Sequence, residues 1–139
     1  MEVKLAVLAD AANVSQEGKL NILGGFSVLW APRFPTRHPK MTLVLKLEGT
    51  AGENPGHKLG IRVVDADGQM VAPPVDGAFE MQRPFMRGDP THAQIIIEIV
   101  DAVFPRGGTY SFEILIDGHH KESLPLHVLQ IQEASGTSR

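Results

Sequence analysis

The side chains of this chain that could do chemistry are six histidines and several aspartates in predicted turns. Imidazole nitrogens bind zinc, and a calcium ion takes about 6–8 oxygens from one small volume. One acidic turn contains Asp65 and Asp67, and a second places Asp117 just before His119 and His120. These five residues are the candidate ligands for a metal ion.

The spacing of these candidates argues against a metal site. Adjacent residues of a strand point to opposite faces of a sheet, so His119 and His120 share an ion only if the loop distorts. Turns explain the aspartates, because an aspartate there bonds the backbone while the glycine that follows takes a positive φ. We therefore predict no bound metal and no cofactor. A small-ligand or calcium site built from loop carboxylates and histidines is the alternative function.

Signatures of catalysis are also missing from the sequence. No serine lies in a Gly-x-Ser-x-Gly elbow, and the glycine pairs open strands, whereas a phosphate-binding loop opens a helix. An enzyme of unfamiliar type would need Asp10, His92 or His127 to meet another polar group in a concave pocket. We predict that the chain is not an enzyme.

Composition indicates one folded domain. A chain of 139 residues with 42% hydrophobic content is long enough to bury a core without disulfides, and it contains no cysteine. We expect residues 1–132 to form this single domain. Residues 133–139 are small and polar, and we expect them to form a flexible tail.

Charge and hydropathy restrict the partners. The net charge of −3 is too small and too dispersed to attract nucleic acid. The apolar run near the N-terminus is shorter than the roughly 7–15 residues of a signal-peptide core or the about 20 of a membrane span. We expect no membrane span. Cytoplasmic residence is the default expectation, and the absence of cysteine agrees with it.

Alternation of apolar and polar residues predicts about eight β-strands. Two Asp-Gly turns and several proline corners favour an all-β fold, an antiparallel two-sheet β-sandwich of immunoglobulin-like or similar type. In the last hairpin a two-residue turn would set Phe112 opposite Ser123, so we expect one extra loop residue or a bulge. That change places Phe112 opposite Leu124 and Tyr110 opposite Leu126.

The first two strands carry further expectations. The first strand is predicted at residues 2–9. A helical turn is predicted within residues 8–17, and Asp10 is a candidate cap for it. The second strand is predicted at residues 19–30, with a bulge or bend at the Gly24-Gly25 pair, because glycine supplies the positive φ that a bulge needs.

Three later segments indicate positions in a sheet. Residues 41–48 alternate, with one face apolar and the other polar, which is typical of a sheet with one wet face. Residues 94–100 contain four isoleucines and are apolar on both faces near Ile96, which predicts a central, well-covered strand. Residues 69–72 end at a proline pair, and this predicts an edge strand, since proline cannot donate to a ladder.

Residues 5–12, residues 18–26 and residues 107–112, with the Asp117-Gly118 turn, resemble a bacterial family of small proteins that form a domain of unknown function. The resemblance covers most of the chain, and its most specific part is Gly-Lys followed by Gly-Gly-Phe. It implies a stand-alone immunoglobulin-like or similar β-sandwich, and it brings no assigned activity and no catalytic residues. The motif positions are Ala9, Asp10, Gly18, Lys19, Gly24 and Gly25.

The sequence favours a non-enzymatic module for protein–protein interaction or assembly, which binds copies of itself or components of a larger bacterial assembly. Strands bounded by prolines imply open edges that a partner extends by strand addition. The alternation pattern places three leucines on the strand faces that are predicted to be exposed to solvent: Leu29, Leu115 and Leu129. An oligomer would cover these side chains. A protein is therefore the expected partner, and a homo-oligomer is one form of this expectation.

Overall fold

Nine β-strands form the part of the chain that the computed structural model describes, residues 1–132. Within these residues there is no helix, and thus no helix that could cross a membrane. The predicted tail, residues 133–139, lies outside the described residues. The strands are β1 (Glu2–Val14), β2 (Leu20–Phe26), β3 (Val28–Ala31), β4 (Thr36–Gly49), β5 (Gly56–Val64), β6 (Val75–Glu80), β7 (Thr91–Phe104), β8 (Gly108–Ile116) and β9 (His119–Gln130).

The strands form two sheets, which confirms the predicted all-β two-sheet sandwich. One sheet has four strands in the order β2-β1-β4-β7, and the other has five strands in the order β3-β9-β8-β5-β6. Strand pairs within each sheet are antiparallel, except that β3 runs parallel to β9. The parallel pair arises because the chain crosses from the four-stranded sheet to the five-stranded sheet between β2 and β3.

The segment that was predicted as one second strand is in fact two strands. The break lies at Ser27, where the chain changes sheets, and it brings the number of strands to nine. Of the bulge or bend expected at Gly24-Gly25, no bulge forms, because β2 keeps one register with β1 from Leu8 to Val14. The β1–β2 hairpin does bend back toward β7, where Gln94 Nε2 donates to the Gly18 carbonyl oxygen. Gly24 does take a positive φ of 70°.

The first strand is longer than the sequence pattern predicts. It continues through Asp10 to Val14, so the helical turn expected in residues 8–17 does not form and Asp10 is not a helix cap. The reason is strand pairing along the whole length of β1, since β4 pairs with its first half and β2 pairs with its second half. Backbone hydrogen bonds to neighbouring strands outweigh the local preference for a turn.

The isoleucine-rich strand β7 is an edge strand, so the prediction of a central strand was wrong. The four-stranded sheet places β4 between β1 and β7. Ile95 and Ile97 pack against the core, whereas Ile96 between them points to the outer side of the sheet. Apolar residues on both faces of a strand indicate covered side chains and do not report how many strands flank it.

The predicted edge strand at residues 69–72 is also displaced. Only Met70 makes a bridge there, to Val64, and the edge strand of the five-stranded sheet is β6, which begins after the proline pair. The prolines therefore precede the edge strand instead of ending it.

The hairpin of β8 and β9 has the register that the sequence predicts. Phe112 pairs with Leu124 and Tyr110 pairs with Leu126, and the register shifts between Ile114 and Leu115. The predicted extra residue is therefore present as a bulge near the turn. It keeps the large apolar side chains of both strands on one face.

The core lies between the inner faces of the two sheets. On β4 it is formed by alternate residues from Met41 to Leu47, and on β8 by alternate residues from Tyr110 to Ile116. Phe104 and Tyr110 make an edge-to-face contact with ring centroids 4.8 Å apart. Burial of each such side chain stabilises the fold by about 1.5–3 kcal/mol.

Candidate functional site

Asp65 and Asp67 stabilise the turn that follows β5. The Asp65 Oδ1 atom accepts hydrogen bonds from the backbone N–H groups of Asp67 at 2.9 Å and of Gln69 at 2.8 Å. Arg106 Nη2, from the corner between β7 and β8, lies 3.7 Å from Asp65 Oδ2 and 3.6 Å from Asp67 Oδ2. The Asp65 carboxylate is thus engaged by the turn, and one guanidinium group lies close to both carboxylates.

Asp117 joins the turn of the last hairpin to the start of β5. Its Oδ2 atom lies 2.7 Å from His57 Nδ1, and its Oδ1 atom accepts a hydrogen bond from the Lys58 N–H at 2.9 Å. These two bonds, that of His57 first, lower the pKa of Asp117, and the charge of His119 acts in the same direction. The His57 ring also stacks on Phe79, with centroids 5.6 Å apart.

The predicted metal ligands lie at opposite ends of the five-stranded sheet. Asp65 follows the last residue of β5, whereas Asp117 contacts residues near its beginning. The nine residues of β5 separate the two turns by roughly 30 Å. Within residues 1–132 there is no group of three histidine, aspartate or glutamate side chains that could hold a metal ion.

A polar cluster on the outer side of the five-stranded sheet contains Glu113, His120, Ser111 and Ser123. Glu113 Oε1 lies 2.6 Å from His120 Nε2 and accepts a hydrogen bond from Ser123 Oγ at 2.6 Å, while Ser111 Oγ donates to Oε2. Burial raises the pKa of Glu113, but hydrogen bonds from Ser111, Ser123 and His120 outweigh it. The pKa of Glu113 therefore lies below its ordinary value.

This polar cluster lacks the geometry of a nucleophilic relay. In a serine–histidine–acid triad the serine and the acid use different nitrogens of the imidazole ring. Here Ser123 Oγ and Glu113 Oε1 both approach His120 Nε2, at 2.9 and 2.6 Å. The cluster stabilises an ionised carboxylate, and the Ser123 hydroxyl donates to that carboxylate at 2.6 Å instead of to an imidazole that the carboxylate orients from its other nitrogen.

An apolar surface lies on the outer side of the four-stranded sheet. Leu43 and Leu45 of β4 belong to the core, so Val44 between them points to the outer side. Val44 pairs with Val7 of β1 and Ile96 of β7, and cross-strand partners share a face. We name this surface the outer apolar face; it consists of Leu5, Val7, Ala9, Val44 and Ile96.

The β1–β2 hairpin folds back over the outer apolar face. Gln94, which lies on the same side of β7 as Ile96, donates from Nε2 to the Gly18 carbonyl oxygen in the turn of that hairpin, at 3.5 Å. Val44 and Ala9 are fully buried, whereas Leu23 of the hairpin is 70% exposed. The ion pair of Lys40 and Glu98, at 3.3 Å, lies at the border of this face. The outer apolar face is therefore a second packed layer and not an open surface.

Sequence reasoning missed the outer apolar face because it predicted a wet outer side for β4. One residue could have indicated this face from the sequence. Val44 lies between Thr42 and Lys46 on the outer side of β4 and is apolar, whereas a solvent-exposed face favours polar residues. Its alignment with Val7 and Ile96 depends on the register of three strands that are far apart in the chain.

Two family motif residues form the turn between β1 and β2. Gly18 has a φ of 84° and donates its N–H to the Ser15 carbonyl oxygen at 2.9 Å. The Lys19 N–H donates to Ser15 Oγ at 3.1 Å. These bonds close the turn that starts strand β2.

The other motif residues lie within the same hairpin. Gly24 faces Asp10 across the strand pair, and a Cβ atom at position 24 would collide with the Asp10 carboxylate. Gly25 pairs with Ala9. The motif thus builds the edge of the four-stranded sheet, where the side chain of Asp10 occupies the space that glycine leaves open.

The three leucines predicted to bind a partner lie in different environments. Leu29 packs against the core, so the expectation that it lies on a wet face was wrong. Leu115 is half-buried on the outer side of the five-stranded sheet, beside Gly60. Leu129 is 40% exposed and pairs with Trp30, which is 62% exposed. Whether these residues bind a partner stays a prediction.

Asp10, His92 and His127 do not converge on one site. His92 stacks on Phe85 with ring centroids 4.4 Å apart, and His127 Nδ1 lies 3.0 Å from Thr109 Oγ1 in the other sheet. An open cleft of about 820 Å³ adjoins His92, and its lining includes Glu53, Glu80, Arg83 and Phe85.

The fold is a two-sheet β-sandwich, and Trp30 and Leu129 form an exposed apolar pair on its five-stranded sheet. The chain belongs to DUF6941, a family of unknown function, whose sequence profile matches residues 4–129. This confirms the expected family of unknown function.

No curated protein matches the chain. Among solved structures, the chain is similar to the alkylpurine DNA glycosylase AlkC of Pseudomonas fluorescens bound to DNA containing an abasic site analog. The identity is 16% and the TM-score is 0.45, over 73% of this chain and 27% of that chain. This chain therefore spans less than a third of that protein, and the similarity carries no argument about function.

Proposed function

We propose that this protein is a non-catalytic protein-binding module and that Trp30, Leu129 and Ile131 form its binding surface. The observation that carries the proposal is that these apolar residues are neighbours on β3 and the end of β9 and are 62%, 40% and 44% exposed. Contiguous exposed apolar surface is typical of interaction sites, and tryptophan is enriched in them.

The shape and charge of the surface favour a protein over other partners. A sheet face is broad, whereas small-ligand sites are concave. The net charge of −3 does not favour nucleic acid. The arrangement of Ser123, His120 and Glu113 supports the non-enzymatic part of the proposal. Cytoplasmic residence is also part of the proposal, supported by the absence of cysteine.

Site-specific photo-cross-linking tests the proposal. A photoreactive residue at position 30 lies in this surface, and one at exposed Lys121 lies near the other end of β9. After irradiation in native cells, position 30 should give a reproducible adduct with one protein that excess wild-type chain competes away, and position 121 should not. Equal adduct patterns at both positions, or none at position 30, would contradict the proposal.

The pairing of strands supports an immunoglobulin-like sandwich, which we also propose. Immunoglobulin sandwiches pair strands B and E in one sheet and order C, F and G in the other. Here β4 pairs with β7, and β5, β8 and β9 lie side by side. The Tyr110 hydroxyl donates to the Arg106 carbonyl oxygen at 2.5 Å, as a tyrosine does at the corresponding corner of that fold.

A small-ligand or calcium site is the second candidate function, and the cleft beside His92 is the observation that favours it. Glu53 and Glu80 supply oxygens there, although Glu53 Oε1 already accepts a hydrogen bond from the Thr50 N–H at 2.7 Å. A ligand that binds only the folded state raises the melting temperature. Unchanged melting with calcium, zinc and a chelator would remove this candidate for those metals.

A further inference from the structure

The loop between β6 and β7 presents two large apolar side chains to solvent. Phe85, at 86%, is the most exposed large apolar residue of the described chain, and Met86 beside it is 68% exposed. We name these two residues the apolar tip. Exposed apolar surface of this kind marks an interaction site, because leaving it in water is unfavourable.

Contacts within the loop hold the apolar tip in place. The Asp89 N–H donates to the Met86 carbonyl oxygen at 3.1 Å, and Gly88 inside this turn has a φ of 95°. The ring of Phe85 stacks on His92 of β7, with ring centroids 4.4 Å apart. A loop that is already ordered loses little conformational entropy when it binds.

Two exposed arginines, Arg83 and Arg87, flank the apolar tip. Neither forms an ion pair with another residue of the described chain, whereas Arg62 and Arg106 each pair with aspartates. Residues 83–89 contain these two arginines and one aspartate, so the loop is basic although the whole chain carries a net charge of −3. The loop therefore combines an apolar tip with unpaired positive charge on both sides.

The apolar tip and the proposed protein-binding surface lie at opposite ends of the sandwich. Glu80 at the end of β6 pairs with Gly56 at the start of β5, and the last residue of β8 also pairs near the start of β5. The loop therefore lies at the end of the sandwich where β9 begins. Trp30 pairs with Leu129, near the other end of β9 and roughly 30 Å away along that strand.

We propose that the apolar tip inserts into the surface of an anionic lipid membrane and that Arg83 and Arg87 bind lipid phosphate groups. A membrane surface places phosphates above acyl chains, and this layering matches cations that flank an apolar tip. Guanidinium groups bind phosphate oxygens with two hydrogen bonds. Each basic residue near an anionic membrane strengthens binding by about fivefold. This inference goes beyond the proposed function, since it concerns the other end of the molecule and a lipid.

Sedimentation with lipid vesicles tests the inference in the full chain. Vesicles of equal parts phosphatidylglycerol and phosphatidylcholine, at millimolar lipid, should carry the wild type into the pellet. Vesicles of phosphatidylcholine alone should bind it about tenfold more weakly, because they lack net negative charge. Added salt should weaken the binding, because it screens the arginines. A wild type that stays in the supernatant, or that binds both vesicles equally, overturns the inference.

Substitutions in the loop locate the contact. Phe85→Ala and Met86→Ala should each lower vesicle binding by about fivefold or more, because less apolar surface leaves water. Leu23→Ala is the matched control, since Leu23 is 70% exposed and lies outside the loop, and it should leave binding unchanged. Equal losses in Leu23→Ala and Phe85→Ala would contradict insertion of the apolar tip.

The two arginines are tested together. Arg83→Gln with Arg87→Gln should lower binding to the anionic vesicles by about tenfold or more. Arg83→Lys with Arg87→Lys should retain most of the binding, because lysine keeps the positive charge. Unchanged binding in the glutamine variant, or equal losses in both variants, would contradict attraction to lipid phosphates.

Tryptophan fluorescence measures the insertion directly. Trp30 is the only tryptophan, so Phe85→Trp in a Trp30→Phe background carries a single fluorophore at the tip. The anionic vesicles should shift its emission to shorter wavelength, and a quencher on the acyl chains should reduce it, whereas Trp30 of the wild type should show neither change. Unchanged emission at position 85 overturns the insertion. A chain that binds no vesicles but still cross-links a protein at position 30 would remove this inference and leave the proposed function standing.

Discussion

Asp10 and Gly24 show how single motif residues of this family act on structure. Gly24 takes a left-handed φ and leaves room for the Asp10 carboxylate across the strand pair. The contact with Gly24 in the β1–β2 hairpin therefore explains an aspartate at position 10 without a catalytic role. The motif could be found in the sequence, but the contact could not, because it depends on the register of the two strands.

Gly24→Ala should lower the free energy of unfolding by about 2 kcal/mol or more. Roughly 1–2 kcal/mol comes from the left-handed backbone, and the displaced Asp10 carboxylate adds to it. Gly18→Ala is the control, because its φ is 84° but the space around it is open. Urea unfolding measures both. Equal losses in the two variants would contradict the contact, and Asp10→Ala should remove most of the excess in the double variant.

Glu113→Gln should lower stability at pH 7 by about 1 kcal/mol, because it weakens three hydrogen bonds to a partly buried carboxylate. The pKa of Glu113 in the folded state lies below its ordinary value of 4.5. Its stabilising effect is therefore present above that pH and is lost as the pH falls through the folded-state pKa. The difference between wild type and variant in urea unfolding should shrink from pH 7 to about pH 3. A constant difference would exclude the ionised carboxylate as the cause.

Among the elements, the β8–β9 hairpin was predicted most completely. Its apolar alternation and Asp-Gly turn are local, so the register of Phe112 with Leu124 follows from the sequence alone. The positions of β6 and β7 were not predicted. An edge strand is defined by a missing neighbour, and that neighbour depends on segments distant in the chain.

Tyr110→Phe should destabilise the corner between β7 and β8 by about 1 kcal/mol. The substitution removes the hydroxyl that donates to the Arg106 carbonyl oxygen, at 2.5 Å, and keeps the ring that packs on Phe104. Urea unfolding gives the total loss. Amide hydrogen exchange should show the largest change at the corner itself, and a change spread evenly over both sheets would contradict a local role.

For the whole molecule, the decisive feature is that both faces of the four-stranded sheet are covered. The inner face packs on the second sheet, and the β1–β2 hairpin folds back over the outer apolar face, where Gln94 Nε2 donates to the Gly18 carbonyl oxygen. Leu45 and Val44 are adjacent, both fully buried, and lie on opposite faces. They therefore allow the two packed layers to be compared by mutation.

Leu45→Ala should cost about 2–5 kcal/mol, because it leaves a cavity between the sheets. Val44→Ala should cost about 1–3 kcal/mol, because it leaves a smaller cavity beneath the β1–β2 hairpin. Thermal or urea unfolding of the full chain measures both. A cost near zero for Val44→Ala would mean that the hairpin does not pack on the outer apolar face.

The sequence by itself determined the all-β class, the family and the last hairpin, because these depend on local alternation, turn residues and motifs that can be read along the chain. Only the tertiary structure decided that β7 is an edge, that Leu29 faces the core and that the acidic turns lie at opposite ends of β5. It also aligned Val7, Val44 and Ile96. Each of these depends on which strands lie side by side, and strand neighbours are set by contacts between distant segments.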